Sequence, residues 1–179
     1  MAADPSLYAF PSPLADTDIS ETLGTELHAD GPDAKAYINK PSNTRSPAYD
    51  TFVQPIDNGT RGGFDVHIYF MQADPEQHKF ATELHERIRR EFPEIRIYSV
   101  FDRPLGPHPI GMFEVNLHSP AQFGAFVPWL VINRGPLSAL IHPNTNDEIR
   151  DHTQRATWMG DPIPLNISLL RKLLTKRDA

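Results

Sequence analysis

Five of the chain's eight histidines stand where an apolar strand pattern begins or ends: His67, His108, His118, His142 and His152. There is no cysteine anywhere in the 179 residues. Imidazole and carboxylate donors without thiolates suit iron(II), manganese or zinc and exclude thiolate-held clusters. An imidazole also titrates near neutral pH, so any of these side chains can carry a proton instead of a metal. What they do together depends on which of them the fold brings into one place.

The elements that must position them are legible from Phe64 onward. Phe64–Phe70 alternates, with Val66, Ile68 and Phe70 on one face and Asp65, His67 and Tyr69 on the other, as a half-buried strand does. Asp74 and Pro75 then form a cap-and-proline helix start, and Phe80, Ala81, Leu84 and Ile88 supply a buried stripe to about Glu91. Ile95–Phe101 and His108–His118 read as two further strands around the turn Arg103-Pro104-Leu105-Gly106-Pro107. Ser119-Pro120 starts a second helix, which closes at Asn133-Arg134-Gly135-Pro136. Leu137–His142 is a fourth strand. Leu165–Leu169 alternates again, and Arg171–Arg177 reads as a short terminal helix.

Strand–helix–strand–strand–helix–strand is the ferredoxin-like arrangement of the α+β class, with both helices on one face of the sheet. The expectation is that strands one and three lie side by side and parallel, with strand four antiparallel on the other side of strand one. His67, His108 and His142 then converge at one end of the sheet as a three-histidine metal site. His152 can fold back to that end as a fourth ligand or a proton shuttle. His118 lies roughly 30 Å away at about 3.3 Å per residue, and Glu114 about 20 Å from His108. The sheet's polar face needs a cover: a second subunit, the N-terminal segment, or both.

Around this site Tyr69 shares a face with His67 and can bond a substrate hydroxyl. Arg103 and Arg134 can each pair a substrate carboxylate. Trp158 can roof an aromatic ring or pack the C-terminal segment. Trp129 reads as core. His78 and His85 read as solvated helix residues, and His28 lies in the N-terminal tail. Residues 1–60 form an extended segment with prolines at 5, 11, 13, 32, 41, 47 and 55, broken by one short helix around Ser20–Leu27; residues 61–179 form the folded domain.

Composition narrows the partners. The formal net charge is −6, so no basic field exists for nucleic acid. No apolar run approaches the roughly 20 residues of a membrane span, and no stretch near the start reads as a signal h-region. The absence of cysteine is compatible with a reducing cytoplasm.

His67-Ile68-Tyr69-Phe70, Gly106-Pro107-His108-Pro109, Pro128-Trp129-Leu130 with Asn133-Arg134, His142-Pro143-Asn144-Thr145 running to Asp151-His152, and Trp158-Met159-Gly160 occur in that order. As a set they resemble the DOPA 4,5-dioxygenase family. The resemblance implies a small dimeric ferredoxin-like protein that cleaves a catechol such as DOPA beside its hydroxyls, with dioxygen as co-substrate. It implies iron(II) and carries across His67, His108, His142 and His152; the topology reading makes His67, His108 and His142 the ligands, with zinc or manganese as the alternatives that the donor set allows. On the reading of the residues, His152 and Tyr69 are the catalytic groups, with Arg103, Arg134 and Trp158 towards the substrate and Asn133, from the matched motif, beside them. Two other readings use the same residues: a non-catalytic small-molecule-binding dimer, and a zinc lyase or hydrolase.

Overall fold

A computed structural model describes residues 6, 9–15, 17–59 and 62–177. The chain divides into two compact units, Met1–Ser46 and Pro47–Ala179. The first carries no helix at 20–27, contrary to expectation; Leu27 instead bridges Tyr37 in a small antiparallel pairing. Helix nucleation is costly, Gly24 interrupts the segment, and Ile19, Leu23 and Leu27 stay exposed, so no packing offsets the cost.

The second unit begins with a 3-10 turn at Pro47–Tyr49, earlier than the expected boundary at residue 60. Phe52 anchors this stretch by packing edge-on against Phe64, ring centroids 5.3 Å apart, and against Phe123. The body follows as β1 (Phe64–Phe70), α1 (Pro75–Glu91), β2 (Arg96–Ile97), β3 (Gly111–Leu117), α2 (Pro120–Asn133), β4 (Ser138–Pro143), α3 (Glu148–Asp151), β5 (Thr157–Met159) and α4 (Ile167–Arg177). Asp74 caps α1 by accepting from the amides of Glu76 and Gln77, and Ser119 caps α2 by accepting from Gln122.

The five strands form one sheet in the order β2-β3-β1-β4-β5. This is the α+β, ferredoxin-like arrangement with helices flanking the sheet. One expected pairing is corrected: β1 and β3 are antiparallel, not parallel. The crossover through α1 makes β1 and β2 parallel, and β3 runs back beside β2 and inserts between them. It must therefore oppose both. Two more corrections lie near the C-terminus. The expected strand at 165–169 is the start of α4, and the last strand is Thr157–Met159.

Period-two alternation does the sorting of faces. Val66, Ile68, Phe70, Phe113, Val115 and Leu117 are buried against α1 and α2. On the opposite face Tyr69, Met112 and Leu140 are buried beneath Ala156, Trp158, Ile163 and Leu165. The chain thus covers part of its own polar face with the segment after α3, the cover that had been expected from a second subunit or the N-terminal segment.

The turn from α2 into β4 depends on Gly135, whose φ is +56° and whose missing side chain leaves room for the Phe80 ring; a Cβ there would lie 2.3 Å from it. Gly135→Ala is expected to cost at least about 1–3 kcal/mol through the left-handed backbone and the overlap together. Urea unfolding checks this; a midpoint equal to that of the parent protein would show that the turn is not constrained.

Candidate metal centre

The antiparallel register, not strand ends, builds the site. On β1 the polar face carries Asp65, His67 and Tyr69. Across from them His142 of β4 pairs with Asp65, and Glu114 of β3 pairs with His67. Glu114, expected to lie far from the histidines, is therefore His67's direct neighbour, its Oε2 4.0 Å from His67 Nδ1. His108 does not begin a strand. Gly106, with φ +55°, closes a tight Leu105–His108 turn, and His108 folds back over the sheet. His152 caps the C-terminal end of α3.

All four side chains are buried within one cluster. The His67 ring centroid lies 4.3 Å from His108, 5.2 Å from His142 and 6.2 Å from His152. Those of His142 and His152 are 4.1 Å apart. The rings border a cleft of about 480 Å³, within the usual range for a small-molecule site. His118 lies outside it.

What holds the Nδ1 atom divides the four. His142 Nδ1 is 3.0 Å from the carbonyl of Pro143, and His152 Nδ1 is 2.9 Å from that of Glu148. A carbonyl only accepts, so each Nδ1 carries the proton and each Nε2 keeps its lone pair. His108 is the reverse case. Its Nδ1 lies 2.7 Å from the Tyr69 hydroxyl. Burial raises the Tyr69 phenol above the ordinary tyrosine range, so it keeps its proton and donates it to Nδ1. His108 then holds its own proton on Nε2. Trp158 stacks on Tyr69, with centroids 5.6 Å apart at 30°, and keeps the phenol in place.

His67 Nε2 faces His142 Nε2 at 3.1 Å. Two nitrogens about 2.0–2.1 Å from one metal ion stand about 2.9–3.3 Å apart at ordinary coordination angles. One ligand nitrogen from each of His67, His142 and His152 lies within 4.8 Å of the other two. His67 Nδ1 is buried with no hydrogen-bond partner. These donors fit a divalent metal: neutral imidazoles, two with tautomers fixed for binding through Nε2. The sequence had placed His108 in that trio and left His152 open as ligand or shuttle.

Burial also keeps the cluster uncharged. It depresses His67 well below the usual range, helped by repulsion from His108, His142 and His152. His108 is held down to about 3 and His152 to about 4, in both cases by burial first and neighbouring imidazoles second. His142 is lowered by burial, against the opposing pull of the Pro143 carbonyl and Asp151.

Supporting groups are mostly ones that the sequence did not single out. Asp151 is buried and accepts from the Thr145 amide at 2.8 Å, the Thr145 hydroxyl at 2.7 Å and Arg155 at 2.9 Å. It thereby ties the loop after β4 to the end of α3, between His142 and His152. Asp65 accepts from Asn116 at 2.5 Å and Asn144 at 3.0 Å. Burial nevertheless pushes its carboxyl up to about 6. The alternation of β1 and β3 already put Asp65, Glu114 and Asn116 on the polar face. The expected parallel pairing hid that they adjoin His67.

The other expected substrate groups do not border this cleft. Arg103 is exposed in the turn before His108. Asn133 accepts from Arg87 of α1 at 2.9 Å and donates to the Trp129 carbonyl, and Arg134 bonds the Leu137 carbonyl. Both close α2 on the helical side. Trp158 reaches the site only through Tyr69 and His108.

A β-sheet face that gathers neutral histidines around a cleft defines a metal-binding protein of the dioxygenase-like α+β class. Residues 64–169, more than half of the chain, match the Dopa 4,5-dioxygenase family, and the chain belongs to that family. A protein of Botryotinia fuckeliana called an uncharacterized 21.2 kDa protein is 56% identical over 99% of both chains. The DOPA 4,5-dioxygenase of Amanita muscaria is 36% identical over 74% of this chain and 60% of its own length. A crystal structure described as a "putative dioxygenase" from Nostoc punctiforme is 40% identical, with a TM-score of 0.57 over 62% of this chain and 92% of that one.

The depressed histidines set a pH dependence. The unfolded chain takes up protons on its histidines below about 6.5, whereas the folded cluster resists them until far lower pH. The histidine contribution to folded-state stability is thus full above about pH 6.5 and lost as the pH falls towards 4, offset in part by Asp65, whose raised carboxyl takes up a proton over the same interval. The melting temperature of metal-stripped protein is expected to drop over that interval, and His108→Gln to flatten the drop. A slope unchanged in that variant would show that His108 is not held neutral.

Proposed function

We propose that this protein is an extradiol dioxygenase that opens the ring of a catechol such as DOPA, using a non-haem iron(II) held by His67, His142 and His152. The observation that carries the reading is the cluster of three buried imidazole nitrogens within 4.8 Å of one another on the cleft wall. The relative named DOPA 4,5-dioxygenase supports the choice of catechol. Iron(II), when bound, would supply the Lewis acidity and redox chemistry that ring cleavage by dioxygen needs.

The chain's own groups do the rest. The carbonyls of Pro143 and Glu148 aim Nε2 of His142 and His152, a fixed outer contact of the kind that raises ligand affinity. His108 is the proton-bearing group: with Nδ1 accepting from Tyr69, its Nε2–H on the opposite edge of the ring donates a hydrogen bond to a catechol oxygen and stabilises the charge that develops there. This exchanges the roles expected for His108 and His152, because the Glu148 carbonyl and the Tyr69 hydroxyl fix opposite tautomers. Tyr69 is a positioning residue that acts through His108. Arg103, Asn133 and Arg134 take no part. The same reading keeps the cytoplasmic setting and the homodimer.

Protein loaded with iron(II) without oxygen, then given a catechol and air, is expected to consume dioxygen and form a yellow ring-opened product. Absence of oxygen uptake, or turnover that survives removal of the metal, overturns the reading. His152→Ala is expected to lose the metal. His108→Gln should keep the metal and slow turnover by about 10²–10³-fold, and loss of metal in that variant would refute the division of roles. Tyr69→Phe should lower kcat by about tenfold or more and alter its pH profile, with the metal retained.

A further inference from the structure

Among the described residues, Tyr98 is the one aromatic side chain that lines the cleft besides the histidines. It follows β2, and its amide donates to the Glu114 carbonyl at 2.9 Å. The β2–β3 register carries on to that point, so Tyr98 lies abreast of Glu114 and, one strand further, of His67. Alternation puts all three on the polar face. At about 4.8 Å per strand, the Tyr98 backbone is roughly 10 Å from that of His67. The side chain is 37% exposed, and among the described residues nothing in the chain bonds its hydroxyl.

The backbone of Tyr98 is held on both sides, although β2 is only two residues long. Its carbonyl accepts from His85 Nε2 at 2.8 Å. His85 belongs to α1 and packs edge-on against Phe113, ring centroids 5.2 Å apart. A helix residue thus reaches the sheet edge and fixes a cleft residue there. The cleft is also closed on the side of β5. Ala156, Trp158, Ile163 and Leu165 lie over Tyr69, Met112 and Leu140, and none of these lines the cavity. A flat molecule held by one edge at the histidines therefore extends over β3, towards Tyr98. Pro107 and Leu170 add apolar surface to the lining, and the Pro107 carbonyl is tied at 2.8 Å to the Asn166 amide just before α4, which carries Leu170.

We propose, resting on the ring-cleavage reading above, that Tyr98 determines specificity by receiving the substituent of a catechol whose hydroxyls lie at the histidines. The cleft then takes 4-alkylated catechols in preference to catechol itself, because the substituent buries apolar area against the Tyr98 ring. A catechol ring with a short side chain spans a distance of the order that separates Tyr98 from the histidines. His85 is a positioning residue that acts through the Tyr98 carbonyl.

The test compares catechol, 4-methylcatechol and 4-propylcatechol on iron(II)-loaded protein. Along that series kcat/KM is expected to rise, by about tenfold from first to last. The rise should reside in KM, since a contact remote from the reacting carbons binds ground and transition states alike. Tyr98→Phe should keep the rise and Tyr98→Ala lose it. Tyr98→Thr, whose branched side chain suits a strand, reads the same loss if the alanine variant does not fold. His85→Ala should reduce the rise. A merely structural role for either residue would lower all three substrates together and leave their ratio intact, which overturns the proposal, as does a parent protein indifferent to the substituent. If none of the three is turned over, ring cleavage fails and binding decides. Calorimetry without oxygen should then find 4-propylcatechol about tenfold tighter than catechol on the parent protein and the two equal on Tyr98→Ala. Equal affinities on the parent overturn the proposal there as well.

Discussion

Four imidazoles can share one buried pocket only while all of them stay neutral. Two charged rings at the 4.1 Å separation of His142 and His152 would repel each other in a medium that screens little. Burial removes the water that would otherwise stabilise those charges, so the protons stay off. That condition determines much of the neighbourhood. Each neutral ring has one N–H and one lone pair, and the chain must decide which faces inward. It does so with two backbone carbonyls and one phenol. The carbonyls of Pro143 and Glu148 turn lone pairs inward, and Tyr69 turns a proton inward on His108.

These three partners come from different layers of the architecture. Pro143 ends β4, so its carbonyl is fixed by the sheet. Glu148 opens α3, a single turn too short to persist alone. The buried Asp151 holds it by tying Thr145 and Arg155 together. Tyr69 is the penultimate residue of β1 and is roofed by Trp158, which belongs to the segment that covers the polar face. The C-terminal cover therefore serves the site as well as the core. It keeps the phenol dry, and a dry phenol stays protonated.

Much of this was legible in the residues. Alternation in Phe64–Phe70 and Gly111–Leu117 reported which side chains share a face, since the period of a strand is two. The caps Asp74 and Ser119 located both helices. The set of four histidines was legible too, as positions bordering strand patterns. What the pattern could not carry was direction. Alternation is the same for parallel and antiparallel neighbours, so the adjacency of His67 and Glu114 stayed hidden until the crossover geometry fixed the pairing. Nor does a sequence disclose what an Nδ1 atom touches. The partners of His142 and His152 are main-chain carbonyls, which every residue has. Leu165–Leu169 illustrates a different failure: its alternation over a few residues also fits the first turn of a helix, and α4 prevailed.

The position of Glu114 shows what a neutral ligand set changes. A site of two histidines and one carboxylate lowers the net charge of a divalent ion to about one, and a weaker Lewis acid results. Here the nearest β3 carboxylate faces Nδ1 of His67, at 4.0 Å, rather than standing among the three clustered donors. It acts on that nitrogen through space and leaves the inner charge intact. One strand pairing, His67 against Glu114, thus sets a carboxylate beside the trio of imidazole nitrogens without making it one of them.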